Sequence, residues 1–133
     1  MEHTTMRALL LVGGGGFLGS VARYLVFRAL HSVTPAAGPL RAFPLGTLAV
    51  NVVGCLIIGA LLAVGEREPG WSDSARLFLL TGILGGFTTF SAFGLDTFTL
   101  VRDGRPALAA ANVLLQVGGG LAAVWAGYRV MTA

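Results

Sequence analysis

At 133 residues, 55% hydrophobic and only 11% charged, with a mean hydropathy of +0.80, the chain is too apolar to present a water-soluble surface. Its net charge of +3 comes from nine basic residues, all arginine, against six acids. These are dispersed along the chain with no basic and aromatic cluster, which excludes a nucleic-acid partner.

Four apolar runs follow in order, and residues 1–133 read as a single all-α transmembrane domain. The runs cover about Ala8 to Leu30, Leu45 to Val64, Leu77 to Val101 and Ala107 to Val130. Each approaches or exceeds the ~20 residues that cross a hydrocarbon core. Arg7 precedes the first run as in a signal peptide, but the run continues through glycines into Arg23 and Arg28 without a cleavage pattern, so it is expected to be kept as a span. The connecting segments are His31 to Pro44, with three of the five prolines; Gly65 to Arg76, with Glu66, Arg67, Glu68 and Asp73; and Arg102 to Pro106. Ser72 or Asp73 is placed to cap the third helix, and Pro106 suits the first turn of the fourth. Cys55, the single cysteine, lies in an apolar run and reads as a packing residue.

Loop arginines normally set orientation. Arg7, Arg67, Arg76 and Arg129 fall on one side, and Arg28, Arg41, Arg102 and Arg105 on the other. The balance predicts almost no orientational preference. Either the chain inserts both ways and pairs antiparallel, or other determinants decide. Gly15 with Gly19, Gly82 with Gly86, and the run Gly118 to Gly120 are expected to allow close helix approach, within one copy or between copies.

The third run holds the densest signal, Gly82-Ile83-Leu84-Gly85-Gly86-Phe87-Thr88-Thr89-Phe90-Ser91-Ala92-Phe93-Gly94. Glycines that weaken a helix are mixed with hydroxyls that can satisfy a freed backbone, which predicts a helix broken near mid-membrane around a site. Phe87, Phe90 and Phe93 form an i, i+3, i+6 stripe, either packing or site. Aromatic edges are electropositive, and beside hydroxyl and amide donors they can hold a small anion with weak, multiple contacts suited to conduction. Asn51 in the second span offers an amide either to such a pathway or as a staple between helices. Asp96 is the only carboxylate inside a span, and is expected to pair with Arg23 or a loop arginine. No embedded Glu, His or Lys, metal-ligand cluster or nucleophile with a base is present, so proton-coupled exchange and enzymatic activity are disfavoured.

Three stretches in this order resemble the Fluc family of small fluoride channels across essentially the whole chain. They are Gly15-Gly16-Phe17-Leu18-Gly19-Ser20-Val21-Ala22-Arg23-Tyr24, Gly46-Thr47-Leu48-Ala49-Val50-Asn51-Val52-Val53-Gly54 and Gly85-Gly86-Phe87-Thr88-Thr89-Phe90-Ser91-Ala92-Phe93. The resemblance implies a dual-topology antiparallel homodimer in a prokaryotic inner membrane, with two fluoride pathways and a structural sodium ion. It would export cytoplasmic fluoride passively and confer fluoride resistance. By the same resemblance Asn51, Phe90, Phe93, Ser91 and Thr89 line the pathway. The main-chain carbonyls of Gly85 and Thr88 from both subunits hold sodium, and Arg23 lies near the entrance or pairs structurally. The chain departs from the family at Ser20, often alanine, at Ala92, commonly threonine, and at Gln116, where many relatives have serine and a longer amide would replace a hydroxyl in the pathway. A proton-coupled drug or cation exporter and a non-transporting membrane scaffold are the alternatives.

Overall fold

The computed structural model describes residues 2–34, 42–67 and 70–133. Arg41, Glu68 and the loop prolines Pro35 and Pro39 lie outside the described residues. Four helical spans run Thr5–Val33, Leu45–Arg67, Asp73–Arg102 and Pro106–Thr132. The all-α, four-span expectation holds, and so does the break in the third span.

Helix α1 (Glu2–Val33) is continuous despite its glycines. At 1.5 Å per residue it is about 48 Å long, well beyond a hydrocarbon core of about 30 Å. Interior glycines cost a helix about 1 kcal/mol each relative to alanine, and here they are offset by packing. A Cβ on Gly19 would strike the Ile83 carbonyl, one on Gly15 the Phe78 carbonyl and Gly82 Cα, and one on Gly86 the Gly16 backbone. Both glycine pairs read from the sequence thus meet within one copy, backbone against backbone, and join the first span to the third.

Helix α2 (Leu45–Arg67) packs mainly on the fourth span. Of the expected glycines only Gly120 comes close to the second span, where a Cβ would lie 3.3 Å from Cys55 Sγ. Gly118 meets open space and Gly119 makes an ordinary contact with Val52. A Cβ on Gly59 would instead strike the Val124 carbonyl, and one on Gly127 the Leu56 carbonyl. The physical reason is register. The run Gly118–Gly120 overlaps a π-helical turn, Leu115–Gly119, between α6 (Pro106–Leu114) and α7 (Gly120–Thr132), and the close crossing falls two turns further on.

The third span is the least regular. Its start, α3 (Asp73–Arg76), is capped by Ser72, whose hydroxyl accepts from the Ala75 N–H at 3.2 Å. A π-helical stretch, Leu77–Leu84, and a short α4 (Gly85–Phe87) follow. The chain then becomes extended at Thr88 (φ −85°, ψ 161°) and Thr89 (φ −154°, ψ 112°) before α5 (Phe90–Arg102) begins. The break therefore sits on two threonines, whose branched Cβ favours extended backbone, with the glycines packed just before it. It also interrupts the aromatic stripe. Phe87 ends one helix and Phe90 opens the next, so only Phe90 and Phe93 share a face. Gly104, with a left-handed φ of 72°, turns the chain into Pro106, the first residue of α6.

Between 11% and 22% of each span's most apolar window is buried inside the chain. Leu10, Phe17, Leu18 and Tyr24 on the first span, and Phe90, Leu95 and Phe98 on the third, are exposed large apolar side chains. Such a surface is compatible only with lipid or another copy around it.

Candidate functional site

Breaking a helix frees backbone groups that lipid cannot satisfy, at several kcal/mol each. Two side chains from earlier spans take them up. Asn51 on α2 accepts from the Thr89 N–H through Oδ1 at 2.8 Å and donates through Nδ2 to the Thr89 carbonyl at 3.1 Å. Arg23 on α1 donates through Nη1 to the Thr88 carbonyl at 3.2 Å. Thr88 turns its own hydroxyl back to the Leu84 carbonyl at 2.9 Å, and Thr89 caps the restarting helix by accepting from the Ala92 N–H at 3.2 Å. Ser91 lies 3.3 Å from the Thr89 hydroxyl.

The staple reading of Asn51 and its site reading meet at one place. Its Nδ2 also donates to Gln116 Oε1 on the fourth span, at 3.0 Å. Asn51 and Gln116 thus join spans two, three and four at the break. Gln116 is 8% exposed, and its Nε2 is buried with no hydrogen-bond partner. An orphaned buried donor costs about 1–3 kcal/mol.

A cleft of about 400 Å³ opens on this constellation, lined by Asn51, Gly54, Cys55, Ile58, Leu80, Leu84, Gly85, Thr88, Thr89, Phe90, Phe93, Gln116 and Val117. No lining side chain carries a formal charge. Phe90 and Phe93 meet edge to face, with centroids 5.5 Å apart at 61°. Phe90 is 81% exposed, so its ring belongs as much to whatever lies beside the chain as to the cleft. The N-terminus of α5 lies at the same place, and its first N–H groups and the positive end of the helix dipole favour negative charge. The structure thus brings together Asn51, Thr89, Phe90, Phe93 and Gln116, with Ser91 beside Thr89.

The carbonyls of Gly85 and Thr88 are suited in kind to a hard cation. In an unbroken helix the Thr89 N–H would bond the Gly85 carbonyl, and here it goes to Asn51 instead. The Thr88 carbonyl keeps one lone pair beside its bond from Arg23. Two oxygens fall short of the six or so that such ions take, so the two carbonyls of one chain do not make a complete site. Among the described residues no three of His, Cys, Asp and Glu come together as metal ligands. Arg23 stands at the break, half-buried on the Thr88 carbonyl.

A larger cavity, about 710 Å³, lies where the first span ends and the second begins, with Tyr24, Arg28, His31, Thr47 and Asp96 in its wall. The expected pairing of Asp96 with Arg23 or a loop arginine is not found among the described residues, which exclude Arg41. Asp96 Oδ2 accepts from the Thr47 hydroxyl at 2.6 Å, because Arg23 is engaged at the break. Asn112 donates to the Thr97 hydroxyl at 2.9 Å and leaves its own Oδ1 without a partner. The contacts of Thr47 and Asn112 were not read from the sequence, although a spacing signal exists. Thr47 and Asn51, and Asn112 and Gln116, are each four apart, so each pair shares a helix face.

The sequence signature of the family described as CrcB-like protein, Camphor Resistance (CrcB), matches residues 10–128. Among similar proteins, the Fluoride-specific ion channel FluC of Rhizobium meliloti (strain 1021) is 47% identical over 96% of this chain and 98% of its own length. The protein of the same name from Paracoccus denitrificans (strain Pd 1222) is 48% identical over 98% of this chain and 95% of its own. That from Geobacter sulfurreducens (strain ATCC 51573 / DSM 12127 / PCA) is 44% identical over 92% and 94%. With four apolar spans and bacterial relatives of this kind, the protein is a multi-pass inner-membrane protein. A match over nearly the whole chain, together with the broken third span, means that the chain belongs to the CrcB family.

Proposed function

We propose that the chain is a passive fluoride channel, acting as one four-span unit that exports cytoplasmic fluoride and confers fluoride resistance. Family membership and relatives named as fluoride-specific ion channels support the activity, and set it apart from enzymes. The observation that carries the reading is the cleft at the break. It offers amide and hydroxyl groups, a helix N-terminus and two phenylalanine edges to an anion, with no formal charge to trap it. Contacts of this kind can replace part of a fluoride ion's water while letting it leave. Asn51, Thr89, Ser91, Phe90, Phe93 and Gln116 form the pathway in this reading. Acid outside the cell converts some fluoride to neutral HF, which crosses lipid and ionises inside. A selective passage then lets the membrane potential drive the anion out.

An antiparallel homodimer with two pathways suits the exposed Phe90 and the thinly buried spans, since a second copy would cover both. In such a dimer the Gly85 and Thr88 carbonyls of both copies would hold one sodium ion, which supplies structural charge balance between the breaks and is not transported. The even division of loop arginines agrees with insertion in both orientations. Adding two or three lysines to the second loop, between Gly65 and Arg76, is expected to drive all copies one way and lower fluoride flux. Co-expression of an opposite-facing copy should restore it, and undiminished flux from uniformly oriented protein would exclude the antiparallel pair.

The test of the activity is fluoride efflux from proteoliposomes of the purified protein, driven by a potassium gradient with valinomycin and followed with a fluoride electrode. Rapid, voltage-driven loss of fluoride without loss of chloride is expected. Folded protein that passes no fluoride would reduce the reading to shared fold.

A further inference from the structure

The second-loop end of the chain carries a cavity of about 450 Å³ that the pathway does not use. It lies where spans two, three and four come together, and its wall changes character along its length. Glu66, Trp71 and Arg76 line the end at the loop, and Ile58, Leu62 and Leu80 line the end toward mid-membrane. Eight residues of α2 separate Ile58 from Glu66, about 12 Å of helix at 1.5 Å each. That is close to the roughly 15 Å of hydrocarbon in one leaflet. The cavity is therefore polar at headgroup level and apolar beneath it, the profile of an amphiphile rather than of a soluble ion.

The two charges at its mouth are of opposite sign and do not meet each other. Glu66 is held by Tyr128, whose hydroxyl donates to Oε2 at 2.8 Å, and its Oε1 has no partner among the described residues. The Arg76 guanidinium has none either, since the one ion pair among those residues joins Arg102 to Asp103. Arg76 ends α3, and the Trp71 ring lies over the end of α2, where a Cβ on Gly65 would come 3.8 Å from its Cε3. Tryptophan settles at the boundary between headgroups and acyl chains. Arg67 and Arg129, near the same end of the molecule, are not in the cavity wall.

We propose that this cavity binds one aminophospholipid of the surrounding membrane. The phosphate lies on Arg76, the primary ammonium on Glu66 Oε1, and the upper part of one acyl chain in the groove between Ile58 and Leu80. A guanidinium suits a phosphate, and a carboxylate with one oxygen open suits an N–H donor. An anionic phospholipid without an amine would set its phosphate near Glu66 with nothing to offset the repulsion, and a choline headgroup has no N–H to give. Ile58 and Leu80 also line the cleft at the break, so the tip of the seated chain lies against the outer wall of that cleft. The proposal does not depend on which ion passes there.

The chain has two tryptophans, Trp71 and Trp125. Trp125 is 67% exposed on the fourth span, so Trp125→Phe leaves Trp71 as the single reporter with little effect on folding. This full-length protein is reconstituted in phosphatidylcholine vesicles with a rising fraction of lipid brominated on the upper acyl chain, either phosphatidylethanolamine or phosphatidylglycerol, and Trp71 quenching is followed. Brominated phosphatidylethanolamine is expected to quench at about fivefold lower fraction than phosphatidylglycerol, the upper scale of an exposed ion pair. Excess unbrominated phosphatidylethanolamine should relieve the quenching. In the same background Glu66→Gln should bring the two lipids together, whereas Arg76→Gln should weaken both.

Equal quenching by the two lipids without Glu66→Gln would mean bulk contact only and would overturn the site. Stronger quenching by phosphatidylglycerol, unchanged in Glu66→Gln, would replace the amine with an anionic lipid and overturn the assignment. No quenching by either lipid would mean that protein closes the cavity, as a second copy of the chain would, and would overturn it too. Should a charge variant not fold, the ranking of the two lipids and the competition on the Trp125→Phe protein decide.

Discussion

Fluoride efflux from Phe90→Ile or Phe93→Ile protein is expected to fall by about tenfold or more, equivalent to losing about 1.4 kcal/mol of contact with the ion. Isoleucine keeps most of the apolar bulk and removes the electropositive ring edge. Phe90 opens α5 at the rim of the break, 81% exposed, and contributes little to the packing of its own chain. The substitution therefore tests ion contact with little effect on folding. The edge-to-face arrangement of the two rings, worth about 0.5–1.5 kcal/mol, is lost in either variant, so melting temperature and monodispersity in detergent provide the control. Wild-type flux in both single variants would remove the rings from the pathway and leave the amides alone to account for conduction.

The largest effect on stability is expected at Gly59 and Gly127. Each meets a backbone carbonyl of the other's helix, Gly59 that of Val124 and Gly127 that of Leu56. A methyl group at either position must push the second and fourth spans apart, because a backbone carbonyl cannot rotate away as a side chain would. Overpacking of ordinary cores costs about 1–3 kcal/mol, and a clash with main chain on both helices belongs at or above the upper end. The same separation would pull Gln116 off Asn51, since both lie along this crossing. Gly59→Ala and Gly127→Ala should thus lower the melting temperature strongly and reduce the yield of folded protein. Gly118→Ala, with open space around it, should change neither. A Gly127→Ala protein that melts with the wild type would show that the two spans can separate at little cost.

Much of this architecture could be read from residues alone. The four spans follow from hydropathy, and the third betrayed its break by combining Gly85 and Gly86 with Thr88, Thr89 and Ser91. That Gly15 with Gly19 and Gly82 with Gly86 allow close approach followed from their four-residue spacing, but that the two pairs meet each other did not. Pattern failed where contact depends on how spans rotate against one another. Nothing in linear spacing pairs Asn51 with Gln116 or Thr47 with Asp96, because each contact crosses between helices whose register is set by bulges. The π-helical turn at Leu115–Gly119 shifts that register and leaves Gly118 and Gly119 outside the close crossing, with only Gly120 near the second span. A wider search for small residues, admitting alanine, would have found Gly59 with Ala63 and Ala123 with Gly127. The pairing of Asp96 with Arg23 failed for a different reason. The presumed cation, Arg23, is claimed by the Thr88 carbonyl, a partner that exists only because the helix breaks.

The partners of that break also impose an order of assembly. A third span made alone would carry the open Thr88 carbonyl and both open backbone groups of Thr89 into lipid, at several kcal/mol each. Both side chains that close them, Arg23 and Asn51, precede it in the chain and emerge earlier from the ribosome. The first two spans therefore act as a template for the third, and only Gln116 arrives afterwards, so the amide that receives Asn51 is the last part of the centre to be set in place.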